Sequence, residues 1–228
     1  MVKVICDSTG DMPDDLRKQY DITIVPLNIL FGTDTYRERV DMMPPQFYKM
    51  LVESGVHPTT SQPAPGLYVE AYQKLAKETD EIIVLTISGG ISGTYESATQ
   101  AKEMVGNLCK IDVIDTRMTC AGLLLPTLKA ARLAEQGKKL DEIAAEIRAI
   151  LPQIRVYMIF DTLEYLRKGG RIGAAKAWLG GMLKLNPILT LKGGLIHPVM
   201  QARGRAKAVE ALVDLIKKTG DPEEVVVE

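Results

Sequence analysis

The sequence predicts an α/β protein with a parallel sheet, on two observations. Short β-branched segments recur at residues 2–6, 82–85 and 110–115, and amphipathic helical segments separate them. The segment 82–85 also leads directly into a loop rich in glycine and hydroxyl side chains, followed by a helix. Strand, loop and helix in this order are typical of a ligand-binding edge in α/β proteins.

The first part of the chain alternates strands and helices. After the first strand, Asp7-Ser8-Thr9-Gly10-Asp11 predicts a turn, and Pro13 predicts a helix start. Residues 22–31 are apolar but contain Pro26, which predicts an edge strand or two short strands. Pro44-Pro45 predicts another helix start, and the Pro- and Thr-rich residues 55–65 are expected to form a loop. Further helices are expected at residues 68–76, 119–136 and 140–151. The helix that follows the strand at 82–85 and its loop is expected to end at about residue 105.

The pattern changes near Leu151-Pro152, and we expect two domains, residues 1–152 and 153–228. The second is predicted to contain a strand at 156–160 and a short helix that begins at 163. A hairpin at 188–191 and 195–200 and a final helix at 204–218 are expected to follow. Residues 223–228 resemble the start of a strand, so we expect a second α/β domain that is incomplete at its C-terminus.

Composition excludes several classes of function. Lys plus Arg is 28 and Asp plus Glu is 29, a near-neutral balance that argues against a nucleic-acid binder. Three cysteines without C-x-x-C spacing predict free thiols in a reducing compartment, so we expect a cytoplasmic protein. The two histidines lie in no metal-ligand pattern, and no apolar run is long enough for a transmembrane helix. We therefore expect neither a metal nor a membrane span.

The 88–94 loop, Ser-Gly-Gly-Ile-Ser-Gly-Thr, has the composition of an anion site at a helix start. It lacks the lysine of a P-loop, which disfavours a triphosphate. A dinucleotide fingerprint would be one glycine short, with Asp112 or Asp115 where a ribose-binding acid belongs. A singly charged carboxylate and a plain strand-to-helix connection with Ser88 or Ser92 as cap remain open.

A second segment rich in hydroxyl groups, Pro58-Thr59-Thr60-Ser61-Gln62-Pro63, is stiffened by its prolines. If both segments belong to one sheet, they are expected to meet in one crevice at the carboxyl ends of the strands. A surface loop that caps the following helix is the alternative interpretation.

Four motifs in order resemble the DegV family of bacterial fatty-acid-binding proteins. They are Asp7-Ser8-Thr9, Thr60-Ser61-Gln62-Pro63, Ile91-Ser92-Gly93-Thr94-Tyr95 with Ser97-Ala98, and Tyr165-Leu166-Arg167-Lys168-Gly169-Gly170-Arg171-Ile172-Gly173. The resemblance implies a two-domain α/β protein that buries a long acyl chain between its domains. It also implies a non-catalytic carrier that presents the fatty-acid carboxylate to a separate acyl kinase, for phosphorylation and entry into phospholipid synthesis.

The resemblance also implies roles for particular residues. Thr60, Ser92 and the backbone N–H of Gly93 are expected to bind the carboxylate. Arg171 and Arg203 match basic positions expected to dock the kinase, although a solvated basic face is the alternative. Four apolar side chains of the second domain are candidates to line the acyl chain or to form ordinary core: Ile159, Trp178, Met182 and Leu183.

The sequence departs from the family pattern in one respect, and one alternative function is open. Family members usually continue into a Gly-His motif whose histidine approaches the carboxylate; this sequence ends before it, and His197 does not match. The alternative function is an enzyme that binds a nucleotide or sugar phosphate at the 88–94 loop.

Overall fold

The computed structural model describes residues 1–179 and 185–227, which form two compact units, Met1–Ile154 and Arg155–Glu228. The strands of the first unit are β1 (Lys3–Asp7), β2 (Thr23–Val25), β3 (Asn28–Phe31), β4 (Asp34–Arg37), β5 (Thr59–Ser61), β6 (Glu81–Thr86) and β7 (Lys110–Asp115). Its helices are α1 (Asp14–Gln19), α2 (Pro44–Glu53), α3 (Pro65–Leu75), α4 (Thr94–Val105), α5 (Ala121–Glu135) and α6 (Leu140–Ile150), with 3-10 turns at Ser8–Gly10 and Leu151–Gln153.

The predicted parallel sheet is confirmed. Its strand order is β2-β1-β6-β7, and all three pairings are parallel. β6 is central and its residues from Ile82 to Thr86 are fully buried, as expected for a strand covered on both faces. Tyr68 and Tyr72 of α3 and Ala98 of α4 pack against one face.

Two predictions about residues 26–65 need correction. The apolar segment forms two strands as expected, but β3 also pairs with β4, which the sequence analysis did not anticipate. Thr59–Ser61, expected within a loop, forms β5 and pairs antiparallel with β3. Threonine favours extended backbone, and the prolines that follow at 63 and 65 favour the same conformation in the residues before them. The Thr-rich segment therefore belongs to a separate sheet of order β4-β3-β5.

The second unit is an antiparallel sheet with short helices. Its elements are β8 (Tyr157–Ile159), α7 (Glu164–Lys168), a 3-10 helix (Gly173–Trp178), β9 (Leu185–Lys192), β10 (Leu195–Arg203) and α8 (Arg205–Lys218), with strand order β10-β9-β8. The predicted hairpin is confirmed, and Gly193 and Gly194 both have positive φ at its two-residue turn. Leu163, Ile172, Leu189 and Ile196 form its buried cluster.

Gly173 is required by the backbone of the second unit. Its φ is +54°, and a Cβ atom at this position would lie 2.3 Å from the carbonyl oxygen of Ile196. Both observations exclude a side chain here without a backbone shift. None of the helices within residues 1–179 and 185–227 is long and apolar enough to cross a membrane.

Candidate functional site

The 88–94 loop folds around a buried serine at the end of β6. Ser88 is fully buried, and its N–H donates to the carbonyl of Met118 at 2.9 Å. The N–H of Gly90 donates to Ser88 Oγ at 3.1 Å, and the N–H of Ser92 donates to the Ser88 carbonyl at 3.1 Å. These bonds give the loop a defined path into α4.

The end of the loop carries hydroxyl and N–H donors at the start of α4. Ser92 Oγ and Thr94 Oγ1 lie 2.8 Å apart, so they share one hydrogen bond. Gly93 is the N-cap, and its carbonyl accepts from the N–H of Ser97. The N–H groups of Gly93 and Thr94 donate to no acceptor within the described part of the chain. Such a group of donors at a helix N-terminus suits an anion.

Thr60 does not lie on the parallel sheet, so the expectation of two loops on one sheet is wrong. It is exposed on β5 and pairs with Ile29 of β3. The end of β5 nevertheless meets the 88–94 loop through Gln62, because a Cβ atom placed on Gly93 would lie 3.1 Å from Gln62 Nε2. The segments that carry Thr60 and Ser92 are thus in contact within the first unit.

Two aspartates hold the 88–94 loop and its connection to β6 from opposite sides. Asp7 ends β1 and accepts the N–H of Ile87 at 2.6 Å; Asp115 ends β7 and accepts the N–H of Gly89 at 3.1 Å. Since β1 and β7 flank β6, both carboxylates lie at the same edge of the sheet. Asp7 is fully buried and Asp115 is partly exposed. Burial raises the pKa of Asp7 to about 6, although hydrogen bonds from Thr9 and Ile87 oppose this.

A second carboxylate lies beside Asp7. Ser8 Oγ donates to Glu38 Oε2 at 2.5 Å and accepts the N–H of Leu27 at 2.9 Å. Burial raises the pKa of Glu38, and the hydrogen bond from Ser8 opposes this rise. The region at the end of β1 is therefore rich in buried, hydrogen-bonded oxygens.

Residues that could serve a nucleotide-binding enzyme have other interactions in the structure. Asp112 forms a two-point ion pair with Arg148, at 2.8 and 2.7 Å, which does not favour binding of a ribose. Burial raises the pKa of the Cys6 thiol well above its usual value, which makes it a poor nucleophile. In residues 1–179 and 185–227, His, Cys, Asp and Glu side chains form no group of three or more that could hold a metal ion.

The remaining expected site residues belong to the second unit. Ile159 ends β8 and is partly buried, and Trp178 ends the 3-10 helix and packs against the buried cluster. Arg171 is exposed and donates to the carbonyl of Gly169 at 2.6 Å. Arg203 is exposed at the end of β10. Met182 and Leu183 lie outside the described residues.

Sequence reasoning missed two residues of the first unit. Gln62 was noted only within a motif, and nothing in the sequence indicated its packing on Gly93. Glu38 was not singled out, because its bond to Ser8 joins residues 30 positions apart. Asp7 was noted as the first residue of the turn after the first strand, and that position is the signal that located it.

Comparison with known proteins identifies relatives of the whole chain. The family described as "Uncharacterised protein, DegV family" matches residues 1–227. A DegV domain-containing protein of Caldanaerobacter subterraneus is 38% identical over 219 residues, which cover 96% of this chain and 78% of that protein.

Solved structures of similar fold are described as fatty acid binding. A DegV family protein from Thermus thermophilus, described in those terms, has a TM-score of 0.88 and 34% identity, covering 96% of this chain and 77% of that one. DegV from Bacillus subtilis, described as a fatty acid binding protein, has a TM-score of 0.86 and 35% identity, covering 95% and 77%. The predicted resemblance is confirmed: this chain belongs to the DegV family.

Proposed function

We propose that this protein binds a long-chain fatty acid, with its carboxylate held by Thr60, Ser92 and the N–H of Gly93. The observation that carries the proposal is the contact of Gln62 with Gly93, which brings the two segments rich in hydroxyl groups together at the start of α4. The fatty-acid binding described for the structural relatives supports the same ligand class.

The donors suit a carboxylate in number and charge. A carboxylate has two oxygens that accept several hydrogen bonds, and hydroxyl and helix N-terminal N–H groups are suitable donors. The 88–94 loop has no lysine or arginine of its own, which fits a singly charged group better than a polyphosphate.

The acyl chain would supply most of the affinity. Each buried CH₂ group contributes about 0.8 kcal/mol, whereas the polar contacts mainly orient the ligand. We propose that Ile159 and Trp178 contribute to the lining, together with Met182 and Leu183. Partly buried apolar side chains such as Ile159 and Trp178 are suitable for this role.

We further propose that the protein is a carrier without catalysis of its own and presents the carboxylate to a separate acyl kinase, upstream of phospholipid synthesis. Arg171 and Arg203 would dock the kinase, because both are exposed cations on the second unit. Guanidinium groups suit an acidic partner surface or the phosphates of a donor.

The carboxylate site is tested with purified protein and palmitate or oleate. Mass spectrometry of denatured protein should find a co-purified fatty acid, and Ser92→Ala and Thr60→Ala should each weaken retention. Thr59→Ala is the matched control, since neighbouring residues of a strand point to opposite faces. Absence of any fatty acid, together with no uptake of either added acid, would refute the proposal.

The acyl chain and the partner need separate tests. Trp178 is the only tryptophan of the chain, so quenching of its fluorescence by a brominated stearate reports proximity of the tail directly. Arg171→Ala and Arg203→Ala should keep the fatty acid but slow its phosphorylation by a bacterial fatty acid kinase. Lys192→Ala is the control, an exposed cation beside the turn of the same hairpin. Normal turnover in both arginine variants would remove the docking role.

A further inference from the structure

The tripeptide Asp7-Ser8-Thr9, here called the 7–9 junction, bonds to segments from both sheets of the first unit. Asp7 accepts from Ile87, which follows β6 of the parallel sheet. Ser8 bonds to Leu27 and Glu38, which flank β3 and β4 of the antiparallel sheet. The Thr9 carbonyl accepts the N–H of Cys120, the residue before α5.

Asp7 uses both carboxylate oxygens in this network. Oδ1 accepts the N–H of Thr9 at 3.0 Å and its hydroxyl at 2.5 Å, while Oδ2 accepts the N–H of Ile87 at 2.6 Å. An ionised carboxylate accepts all three hydrogen bonds without rearrangement. A proton or an amide nitrogen on Oδ2 would face the Ile87 N–H, and on Oδ1 it would face the Thr9 N–H, although the Thr9 hydroxyl can reverse to accept it. Either change also removes the charge that strengthens the bond to Ile87.

The same junction fixes the sheet that carries Thr60. Ser8 Oγ holds the chain between β2 and β3 and the residue after β4, and β3 in turn pairs with β5. The spacing between the 88–94 loop and Thr60 therefore depends on bonds made by adjacent residues, Asp7 and Ser8.

We propose that Asp7 is a positioning residue for the carboxylate site: its ionised side chain holds the 88–94 loop in register with Thr60, and protonation releases the loop. This inference rests on the proposed function. Asp7 itself does not contact the fatty acid and acts through its hydrogen bond with Ile87. A fatty acid should then leave faster in mildly acidic solution than its own ionisation alone would require.

The surroundings of Asp7 support a titration in this range. The titratable groups that face it are Glu38 after β4, Tyr68 of α3 and its neighbour Cys6 on β1. Burial, together with the charge of Glu38, raises the pKa of Asp7 to about 6. The Tyr68 hydroxyl is buried and has no hydrogen-bond partner among the described residues.

The charge of Asp7 has two opposite effects on a bound carboxylate, and they separate the hypotheses. As a like charge it would repel the ligand, so neutralising it would slow release. As an anchor for the loop it would assist binding, so neutralising it would speed release. The direction of the change in Asp7→Asn therefore decides between the two.

The experiment measures transfer of palmitate from the protein to fatty-acid-free albumin between about pH 5 and about pH 7.5. Asp7→Asn should release palmitate about tenfold faster at the upper pH, the effect of losing one charge-assisted hydrogen bond. The variant should also lack the acceleration of release near pH 6 that we expect of wild type. Any acceleration caused by protonation of palmitate itself should remain in both proteins. Asp115→Asn is the matched control, because it neutralises the acceptor of the Gly89 N–H but leaves the Asp7 carboxylate in place, and it should retain the wild-type step.

Amide hydrogen exchange of Ile87, corrected for intrinsic rates, tests the anchor without ligand. Protection should fall in Asp7→Asn, and in wild type below about pH 6. Equal or slower palmitate release in a folded Asp7→Asn, or unchanged protection of Ile87, would overturn the inference. If wild type holds no palmitate at any pH, the proposed function is wrong, and the exchange of Ile87 alone decides the role of Asp7.

Discussion

The 88–94 loop and the β5 strand are similar in sequence, since both are short and rich in hydroxyl groups, but they differ in burial and in hydrogen bonding. Ser88 and Thr94 are fully buried, and hydrogen bonds on several sides hold the loop. Thr59 and Thr60 are exposed on an edge strand whose one partner among the described strands is β3. The buried hydroxyl groups of Ser88 and Thr94 therefore stabilise the loop, whereas those of Thr59 and Thr60 on β5 are exposed.

The largest effect on folding is expected from Ser88→Ala. It removes a fully buried hydroxyl group that accepts the Gly90 N–H, so the free energy of unfolding should fall by about 2 kcal/mol. Denaturant unfolding monitored by circular dichroism measures this. A loss below about 0.5 kcal/mol would mean that the loop is no better anchored than β5.

Next in size is the pH dependence of stability that Asp7 contributes. Its pKa is about 6 in the folded protein and near 3.8 when unfolded, so the folded state takes up the proton first. Its contribution to the free energy of unfolding should rise by about 1 kcal/mol from about pH 7.5 to about pH 5. Subtracting the profile of Asp7→Asn from that of wild type isolates this contribution. A flat difference would contradict the burial of a charged Asp7.

A smaller effect is expected where the two segments meet. The φ of Gly93 is −78°, which alanine can adopt, but the Cβ atom of Gly93→Ala would press on the exposed side chain of Gln62. Because that side chain can move, stability should fall by less than about 1 kcal/mol while fatty-acid retention weakens. Adding Gln62→Ala should restore retention in part. If Gln62→Ala has no effect in this background, the contact does not link the two segments.

The smallest effect on stability is expected from Thr60→Ala. An exposed strand residue with no side-chain partner among the described residues should change the free energy of unfolding by less than about 0.5 kcal/mol. The same unfolding assay should place it beside Thr59→Ala. A loss as large as that of Ser88→Ala would erase the distinction between β5 and the 88–94 loop.

Local patterns predicted the elements that are local in origin. The apolar run before Ser88 and the glycines after it predicted β6, the loop and α4, because each depends on neighbouring residues. β4 and β5 were missed because they are short and polar and because their pairing with β3 is not local. Asn28 of β3 pairs with Arg37 of β4 and with Ser61 of β5, which lies 33 positions away.

The same limit applies to the candidate site. The helix start beside Ser92 and Gly93 was predicted because it has a local signature, although the N-cap is Gly93 and not Ser88 or Ser92. The bond of Ser8 to Glu38 and the packing of Gln62 on Gly93 have none, since each joins residues about 30 apart in the chain. The position of Asp7 directly after a strand was predicted, but its full burial was not.

The close approach of Gly173 to the Ile196 carbonyl has a consequence for tracing ancestry. Any descendant that keeps this backbone must keep glycine there, whatever ligand it has lost or acquired. The glycine of the Arg-Ile-Gly triplet is thus a marker of inherited backbone structure and not of ligand binding. Thr60, an exposed strand residue, is under no such backbone constraint.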